Sequence, residues 1–233
     1  MSTTSGPGHR WELHRRRLYL CTPDRPDLEA FVEACIQGGV DIVQLREKDL
    51  PDGLLVQRAR AVQRVCARHQ VPFILNDRPE LAAEIGADGV HVGQDDMDPA
   101  TARALVGDDA LIGLSTHSPD DLAHAIGAAG GVRAPVDYLS AGPVVPTPTK
   151  PGRPGTGLNY IREANRRSPW PVWITGGVDP TTVPDLVAAG AGHFVVVRWL
   201  TTAPDPAANA RMLRRAIDVA VAGAEEGTST AGP

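Results

Sequence analysis

The chain begins its ordered pattern with LYLCT at Leu18–Thr22, DLEAFVEACIQ at Asp27–Gln37 and VDIVQL at Val40–Leu45. The first and last of these are short apolar runs of strand length, and they predict β-strands. The middle segment has amphipathic spacing and is followed by Gly38 and Gly39, so it predicts a helix with a glycine stop. A strand, a helix and a second strand in this order indicate parallel strands joined by a right-handed crossover.

The same alternation continues along the chain and gives eight strand–helix units. Eight units predict an α/β fold, a single (β/α)8 TIM barrel. We expect a flexible N-terminal segment at 1–17, the barrel at 18–222 and a flexible C-terminal tail at 223–233. The further strands are predicted at Val71–Leu75, Gly89–Val92, Ala110–Leu114, Val136–Leu139, Val172–Ile174 and Phe194–Val197. The further helices are predicted at Asp52–His69, Pro79–Ile85, Pro99–Val106, Pro119–Ala129, Leu158–Arg167, Thr181–Ala189 and Pro206–Val221.

An open, doubly wound sheet is the alternative architecture. It favours a glycine-rich dinucleotide fingerprint after the first strand, and Cys21–Asp24 reads Cys-Thr-Pro-Asp instead. In a barrel, active sites lie at the carboxyl ends of the strands. The polar residues that follow each predicted strand are therefore the candidates for function.

Composition excludes several classes of protein. The chain has 233 residues, 42% of them hydrophobic, and a net charge of −5, which gives no electrostatic basis for binding nucleic acid. No apolar run reaches the length of a membrane span, and no secretory signal is recognisable near the start. The three cysteines lack metal-binding spacing, which favours free thiols and a cytoplasmic location. We expect small-molecule substrates and no membrane partner, and the sequence leaves open a homo-oligomer.

After the second strand comes a group of polar and charged residues. Gln44, Arg46 and Lys48 share one face because side chains alternate along a strand. Val43 and Leu45 share the other face. If the apolar pair packs on the helices, the three polar side chains line the barrel mouth, whereas an exposed charged loop is the alternative.

Two carboxylates follow the third and fourth strands. Asp77 lies in Asn76-Asp77-Arg78, and Asp96 lies in the segment 91–96 with the sequence HVGQDD. Oxygen ligands from one or two carboxylates together with substrate phosphates suit Mg²⁺. Helix capping is the alternative role for such residues, and we favour it for Asp98.

Ser115 follows the fifth strand and stands two residues before His117. No nucleophile-elbow motif surrounds this pair, which favours a hydrogen-bonding role for Ser115 over a nucleophilic one. His91 lies inside the fourth strand, and we expect it to be packed or hydrogen-bonded rather than to bind metal.

After the sixth strand, the stretch 142–157 reads GPVVPTPTKPGRPGTG. Glycine and proline exclude regular structure there, while threonine, lysine and arginine supply donors and positive charge for an anion. Gly177 after the seventh strand and Arg198 after the eighth extend this anion-binding pattern, since barrel loops seven and eight often bind phosphate. So many groups suggest a diphosphate with Mg²⁺ and a second phosphate, and hence a group-transfer reaction.

In order and in spacing, these motifs resemble those of the thiamine phosphate synthase family. The resemblance runs from about Leu18 to Val221. It implies a barrel enzyme that joins hydroxymethylpyrimidine diphosphate to thiazole phosphate and releases pyrophosphate, with one Mg²⁺ per subunit. The implied reaction is dissociative, so the diphosphate leaves before the thiazole nitrogen attacks. The matching pieces lie at 43–48, 76–78, 91–96, 113–115, 142–150 and 176–177.

The resemblance also implies roles for individual residues. Arg46, Lys48, Ser115 and Lys150 are the expected catalytic residues, and Asp77 and Asp96 are the expected metal ligands. The implied residues for the pyrimidine diphosphate are Gln44, Leu45, Arg46, Glu47, Lys48, Asn76, Ser115 and Lys150. Those implied for the thiazole phosphate are Thr147, Pro148, Thr149, Gly177, Val197 and Arg198.

Three other functions remain as alternatives. A thiazole tautomerase shares the fold but has no need for Arg46, Lys48, Asp77, Asp96 and Lys150 together. A non-catalytic thiamine-phosphate-binding barrel is the second, and the same leaving-group residues argue against it. An aldolase-type barrel is the third, but it needs a lysine within a strand, and the candidate lysines follow strands. One departure from the family is Arg198, where many members have a small polar stretch.

Overall fold

The computed structural model describes residues 11–127, 135–147 and 154–229. Eight parallel strands form a closed barrel in sequence order, and β8 pairs with β1. The predicted (β/α)8 fold is therefore confirmed. The strands are Leu18–Thr22 (β1), Ile42–Leu45 (β2), Phe73–Asn76 (β3), Gly89–Val92 (β4), Leu111–Thr116 (β5), Tyr138–Ala141 (β6), Val172–Thr175 (β7) and His193–Val196 (β8).

Helices follow the strands and cover the outside of the barrel. They are Leu28–Gln37 (α1), Asp52–Arg68 (α2), Pro79–Ile85 (α3), Pro99–Val106 (α4), Pro119–Gly127 (α5), Gly157–Arg167 (α6), Val183–Ala188 (α7), Arg198–Thr201 (α8) and Pro206–Ser229 (α9). Among the described residues, none of these helices is both long and apolar enough to cross a membrane.

The core has two layers. An outer layer between strands and helices contains Val43 and Leu45, both fully buried, as the alternation along β2 predicts. An inner layer fills the barrel with aromatic rings. Tyr19 packs edge-on against Trp173 with ring centroids 5.3 Å apart, and Tyr138 packs similarly against Trp173 at 6.5 Å. The barrel is thus a packed core beneath a polar mouth.

The segment 11–17, the described part of the stretch that the sequence predicts to be flexible, packs against the barrel. Trp11 and Leu13 are 9% and 5% exposed and belong to the inner aromatic layer. Arg16 donates from Nε to the Trp11 carbonyl at 2.7 Å and from Nη1 to the Asp41 carbonyl at 2.6 Å. Burial of two large apolar side chains orders this segment against the amino-terminal end of the barrel.

The last helix is longer than the sequence predicts. It continues to Ser229, whereas the predicted helix ends at Val221 and the predicted tail begins at 223. Ala224, Glu225 and Glu226 are good helix formers, and Glu225 lies 3.9 Å from Arg17. The short helix α8 is an element that the sequence pattern did not indicate, because the residues from 198 to 201 continue directly from the apolar β8 run.

Candidate active site

A cavity of about 320 Å³ opens at the carboxyl ends of the strands. Its wall draws on loops and strand ends from both halves of the barrel, so residues far apart in sequence meet there. The structure brings the following predicted site residues together in this one wall: Gln44, Arg46, Asn76, Ser115, Thr147, Gly177, Val197 and Arg198.

Five predicted residues within the described part of the chain do not line the cavity: Leu45, Glu47, Lys48, Asp77 and Asp96. Leu45 is fully buried in the outer core, so its side chain is not available to a ligand. Glu47 accepts hydrogen bonds from the backbone amides of Asp24 and Lys48. Lys48 is half-exposed at the rim and pairs with Asp77.

Three more predicted residues, Pro148, Thr149 and Lys150, lie outside the described residues. Within the same loop, Thr147 reaches the cavity wall. The base of the loop is held by the Val144 amide, which donates to the Thr175 carbonyl at 2.9 Å. The loop after β6 and the loop after β7 are therefore tied together at the mouth.

Close packing between these two loops explains the glycines after β7. A Cβ on Gly176 would lie 2.5 Å from Cβ of Pro143, and one on Gly177 would lie 2.6 Å from Cγ2 of Val145. Both glycines also have positive φ, at 89° and 79°, which other L-residues rarely adopt. Glycine is thus required by the approach of the two loops.

Two carboxylates and a lysine form the rim beside β3 and β4. Lys48 Nζ lies 2.8 Å from Asp77 Oδ2, and Asp96 Oδ2 accepts a hydrogen bond from the Gly93 amide at 2.8 Å. The pKa of the Asp77 carboxyl is raised above its usual value. Burial is the largest cause and the adjoining Asp96 carboxyl adds to it, and together they outweigh the hydrogen bond from Lys48, which lowers the pKa. The mutual repulsion of two neighbouring carboxylates favours a cation between them.

The backbone holds Asp77 in an unusual conformation. Its φ is 58°, a left-handed value for which aspartate is among the few tolerated side chains. Its amide donates to the His91 carbonyl at 2.8 Å, which fixes the turn against β4. Among the described residues, no group of three or more His, Cys, Asp or Glu side chains is placed to hold a metal. A pair of carboxylates completed by substrate phosphates is a donor set of the kind that suits Mg²⁺.

Asn76 is the buried polar residue at the cavity whose bonding is incomplete. Its side chain is 4% exposed, and its Nδ2 has no hydrogen-bond partner among the described residues. A buried amide without a partner costs free energy, which a ligand acceptor recovers on binding. This geometry suits the predicted contact of Asn76 with substrate.

Three interior residues at or beneath the cavity were not predicted from the sequence. Tyr19 and Ser140 line the cavity and Tyr138 lies in the barrel interior, while His91 is hydrogen-bonded, as predicted. The signal for the two tyrosines and the serine was available, since each occupies an inward position of an otherwise apolar strand. His117, considered as a partner of Ser115, instead contacts the Gly142 carbonyl through Nδ1. Asp98 caps α4 as favoured, accepting from the Thr101 amide at 3.0 Å.

Comparison with known proteins identifies relatives of this barrel. The chain matches the thiamine monophosphate synthase family over residues 18–200. It is 46% identical to the thiamine-phosphate synthase of Thermus thermophilus over 209 residues, covering 85% of this chain and 95% of that one. It is 43% identical to that of Gloeobacter violaceus over 205 residues, covering 88% of this chain but only 58% of the relative.

A solved structure from the same family of enzymes has a similar fold. Thiamine phosphate pyrophosphorylase from Pyrococcus furiosus superimposes with a TM-score of 0.77 at 25% identity, covering 88% of this chain and 96% of that one. The match of the family over most of the chain, together with these identities, decides the relationship. The chain belongs to the thiamine monophosphate synthase family.

Proposed function

We propose that this protein condenses hydroxymethylpyrimidine diphosphate with thiazole phosphate to give thiamine phosphate and pyrophosphate. The observation that carries the proposal is the meeting of Arg46, Asn76, Ser115, Gly177 and Arg198 in one cavity wall, with a carboxylate pair on its rim. Membership of the family supports the same reaction.

The pyrimidine diphosphate is assigned to the β2–β5 half of the mouth. Arg46 and Lys48 supply positive charge for the diphosphate, Lys150 would add to it from the loop after β6, and the unpartnered Nδ2 of Asn76 supplies a donor. The bond between the pyrimidine methylene and the diphosphate oxygen breaks with both electrons leaving on oxygen. Asp77 and Asp96 would hold Mg²⁺, whose charge helps to neutralise the departing diphosphate.

The thiazole phosphate is assigned to the β6–β8 half of the mouth. Thr147, Pro148 and Thr149 contribute from the loop after β6, while Gly177, Val197 and Arg198 contribute from the next two strand ends. Anchoring the phosphate there positions the thiazole nitrogen, whose lone pair forms the new bond to the methylene carbon. No proton has to be removed in this step, so the site needs no strong general base.

Product formation tests the proposal. Purified protein is incubated with both substrates and Mg²⁺, and thiamine phosphate and pyrophosphate are quantified; we expect equal amounts of each. Omitting the thiazole phosphate and chelating Mg²⁺ are the controls. No product with everything present overturns the proposal, and conversion between thiazole phosphate isomers without pyrophosphate release would identify a tautomerase.

A further inference from the structure

A row of hydrogen-bonded side chains crosses the barrel at the floor of the cavity. Gln44 Nε2 donates to the Tyr19 hydroxyl at 3.1 Å, and the two hydroxyls of Tyr19 and Tyr138 lie 3.0 Å apart. The Tyr138 hydroxyl lies 3.2 Å from His91 Nδ1, and His91 Nε2 lies 2.9 Å from Ser115 Oγ. All five side chains are buried. Four neighbouring hydrogen bonds therefore connect β2 to β5 through the barrel interior.

The donors and acceptors along this row fix the direction of its hydrogen bonds. The Gln44 amide nitrogen can only donate, so the Tyr19 oxygen accepts, and the Tyr19 proton is left for Tyr138. The Tyr138 proton then goes to His91 Nδ1. In the opposite direction the Tyr19 oxygen would accept twice and its own proton would have no acceptor within this row, which is unfavourable for a hydroxyl on a side chain that is 2% exposed.

The direction extends through His91 to Ser115. A neutral imidazole has one acceptor and one donor nitrogen, so an accepting Nδ1 requires a proton on Nε2. Ser115 Oγ then accepts from His91, and Ser140 Oγ also donates to it at 3.3 Å. With both acceptor positions in use, the Ser115 proton points to the cavity, whose wall includes Ser115.

Room for this arrangement comes from a glycine in β5. A Cβ on Gly113 would lie 2.1 Å from Tyr138 Cζ and 2.4 Å from His91 Nδ1. The two rings approach each other across the space that any other side chain would occupy. The contact between Tyr138 and His91 is thus built into the packing of the barrel.

We propose that Tyr138 is a positioning residue that fixes His91 as the Nε2–H tautomer and thereby makes Ser115 a hydrogen-bond donor toward the substrate. The recognised group is an acceptor atom of the pyrimidine diphosphate. The identity of that ligand rests on the proposed function, whereas the tautomer is a property of the free protein.

The tautomer is measured first, without substrate. Full-length protein labelled with ¹⁵N-histidine is studied by long-range ¹H–¹⁵N NMR, and the His91 signals are assigned by their loss in His91→Gln. We expect a proton-bearing Nε2 and an unprotonated Nδ1. A proton on Nδ1 overturns the proposal, whether or not the protein has synthase activity.

Variants then test Tyr138 itself. Tyr138→Phe removes the donor to Nδ1, so we expect mixed His91 tautomers and roughly ten-fold lower kcat/KM for the pyrimidine diphosphate. The KM for thiazole phosphate should remain unchanged. The matched control is Tyr160→Phe, which removes a buried hydroxyl from the outer core and should leave both readouts unchanged.

Each outcome has a defined meaning. An unchanged His91 tautomer in Tyr138→Phe overturns the proposal, as does a loss of kcat/KM no larger than that in Tyr160→Phe. If the wild type makes no thiamine phosphate but shows the Nε2–H tautomer that Tyr138→Phe abolishes, the proposed function fails and the positioning role of Tyr138 stands.

Discussion

The two ends of the barrel differ in how completely their polar side chains are hydrogen-bonded. At the amino-terminal end, the Asp41 carboxylate accepts from the Arg17 and Leu18 amides and from Arg214, at 2.9 to 3.0 Å. At the mouth, Asp77 adjoins a second carboxylate, and Asn76 Nδ2 has no partner among the described residues. Complete hydrogen bonding at the amino-terminal end stabilises the fold, whereas the incompletely bonded groups at the mouth remain able to bind a ligand.

The largest effect is expected from the carboxylate pair at the mouth. Asp77→Ala and Asp96→Ala should each lower Mg²⁺-dependent turnover by roughly 10²–10³-fold, because the leaving charge loses its stabilisation. Steady-state rates of pyrophosphate release measure this loss, and urea unfolding should show a folded protein of normal stability.

Asp98→Ala is the matched control for these two variants. It removes the cap of α4, so it should cost about 1 kcal/mol of unfolding free energy while turnover stays normal. Near-normal turnover in Asp77→Ala or Asp96→Ala would remove that residue from the proposed metal site.

The next effect concerns the amino-terminal end of the barrel. Trp11→Ala should lower the free energy of unfolding by about 3 kcal/mol, because a large ring leaves the inner aromatic layer. Turnover at a temperature well below the transition should not change. A variant with normal stability, or one that is stable but inactive, would contradict the division between an amino-terminal end that stabilises the fold and a mouth that binds substrate.

A pH effect of similar size is expected at His193, whose ring packs at a tilt against Trp173 and whose Nδ1 lies 2.6 Å from the Arg16 carbonyl. Burial lowers the pKa of His193 from 6.5 to about 4. Between these pH values the unfolded chain binds a proton that the folded chain does not, so stability falls as pH falls. The contribution is up to about 3 kcal/mol.

His193→Gln isolates this contribution. The difference in unfolding free energy between wild type and His193→Gln should shrink when urea unfolding is repeated at pH 4.5 instead of pH 7. A difference that stays constant with pH would show that His193 does not resist protonation.

The smallest effect is expected from Asn76 at the mouth. Asn76→Ala should lower kcat/KM for the pyrimidine diphosphate about ten-fold, the size of one hydrogen bond, and leave stability unchanged or slightly higher. Asn165→Ala is the control, since its Nδ2 already donates to the Ile161 carbonyl within α6. A marked loss of stability in Asn76→Ala would mean that Asn76 is structural.

Local rules in the sequence were enough to predict much of the barrel. Alternation placed Val43 and Leu45 toward the helices and Gln44 toward the interior, and the structure agrees. Proline at Pro79 and a left-handed Gly86 bound α3 where the sequence predicts it. These features depend on neighbours in the chain, so a single sequence contains them.

Other features depend on contacts between distant segments, and the sequence did not indicate them. The order of 11–17 comes from burial of Trp11 and Leu13 against the barrel, which overrides a polar, arginine-rich composition. Ser115 finds its imidazole partner on β4 and not at the nearby His117, because the register between β4 and β5 sets His91 beside Gly113. The residues that fix the site geometry were therefore harder to predict than those that line it.

The Asp41 carboxylate also bears on how the barrel closes. Its partners Arg17 and Arg214 lie 24 residues before it and 173 residues after it. Joining β1 to β8 closes a ring in the sheet, and bringing such distant segments together costs loop-closure entropy. A single carboxylate that bonds to both sides offsets part of that cost where the ring closes. We therefore expect its loss to speed unfolding by loosening the contact between the first strand and the last helix.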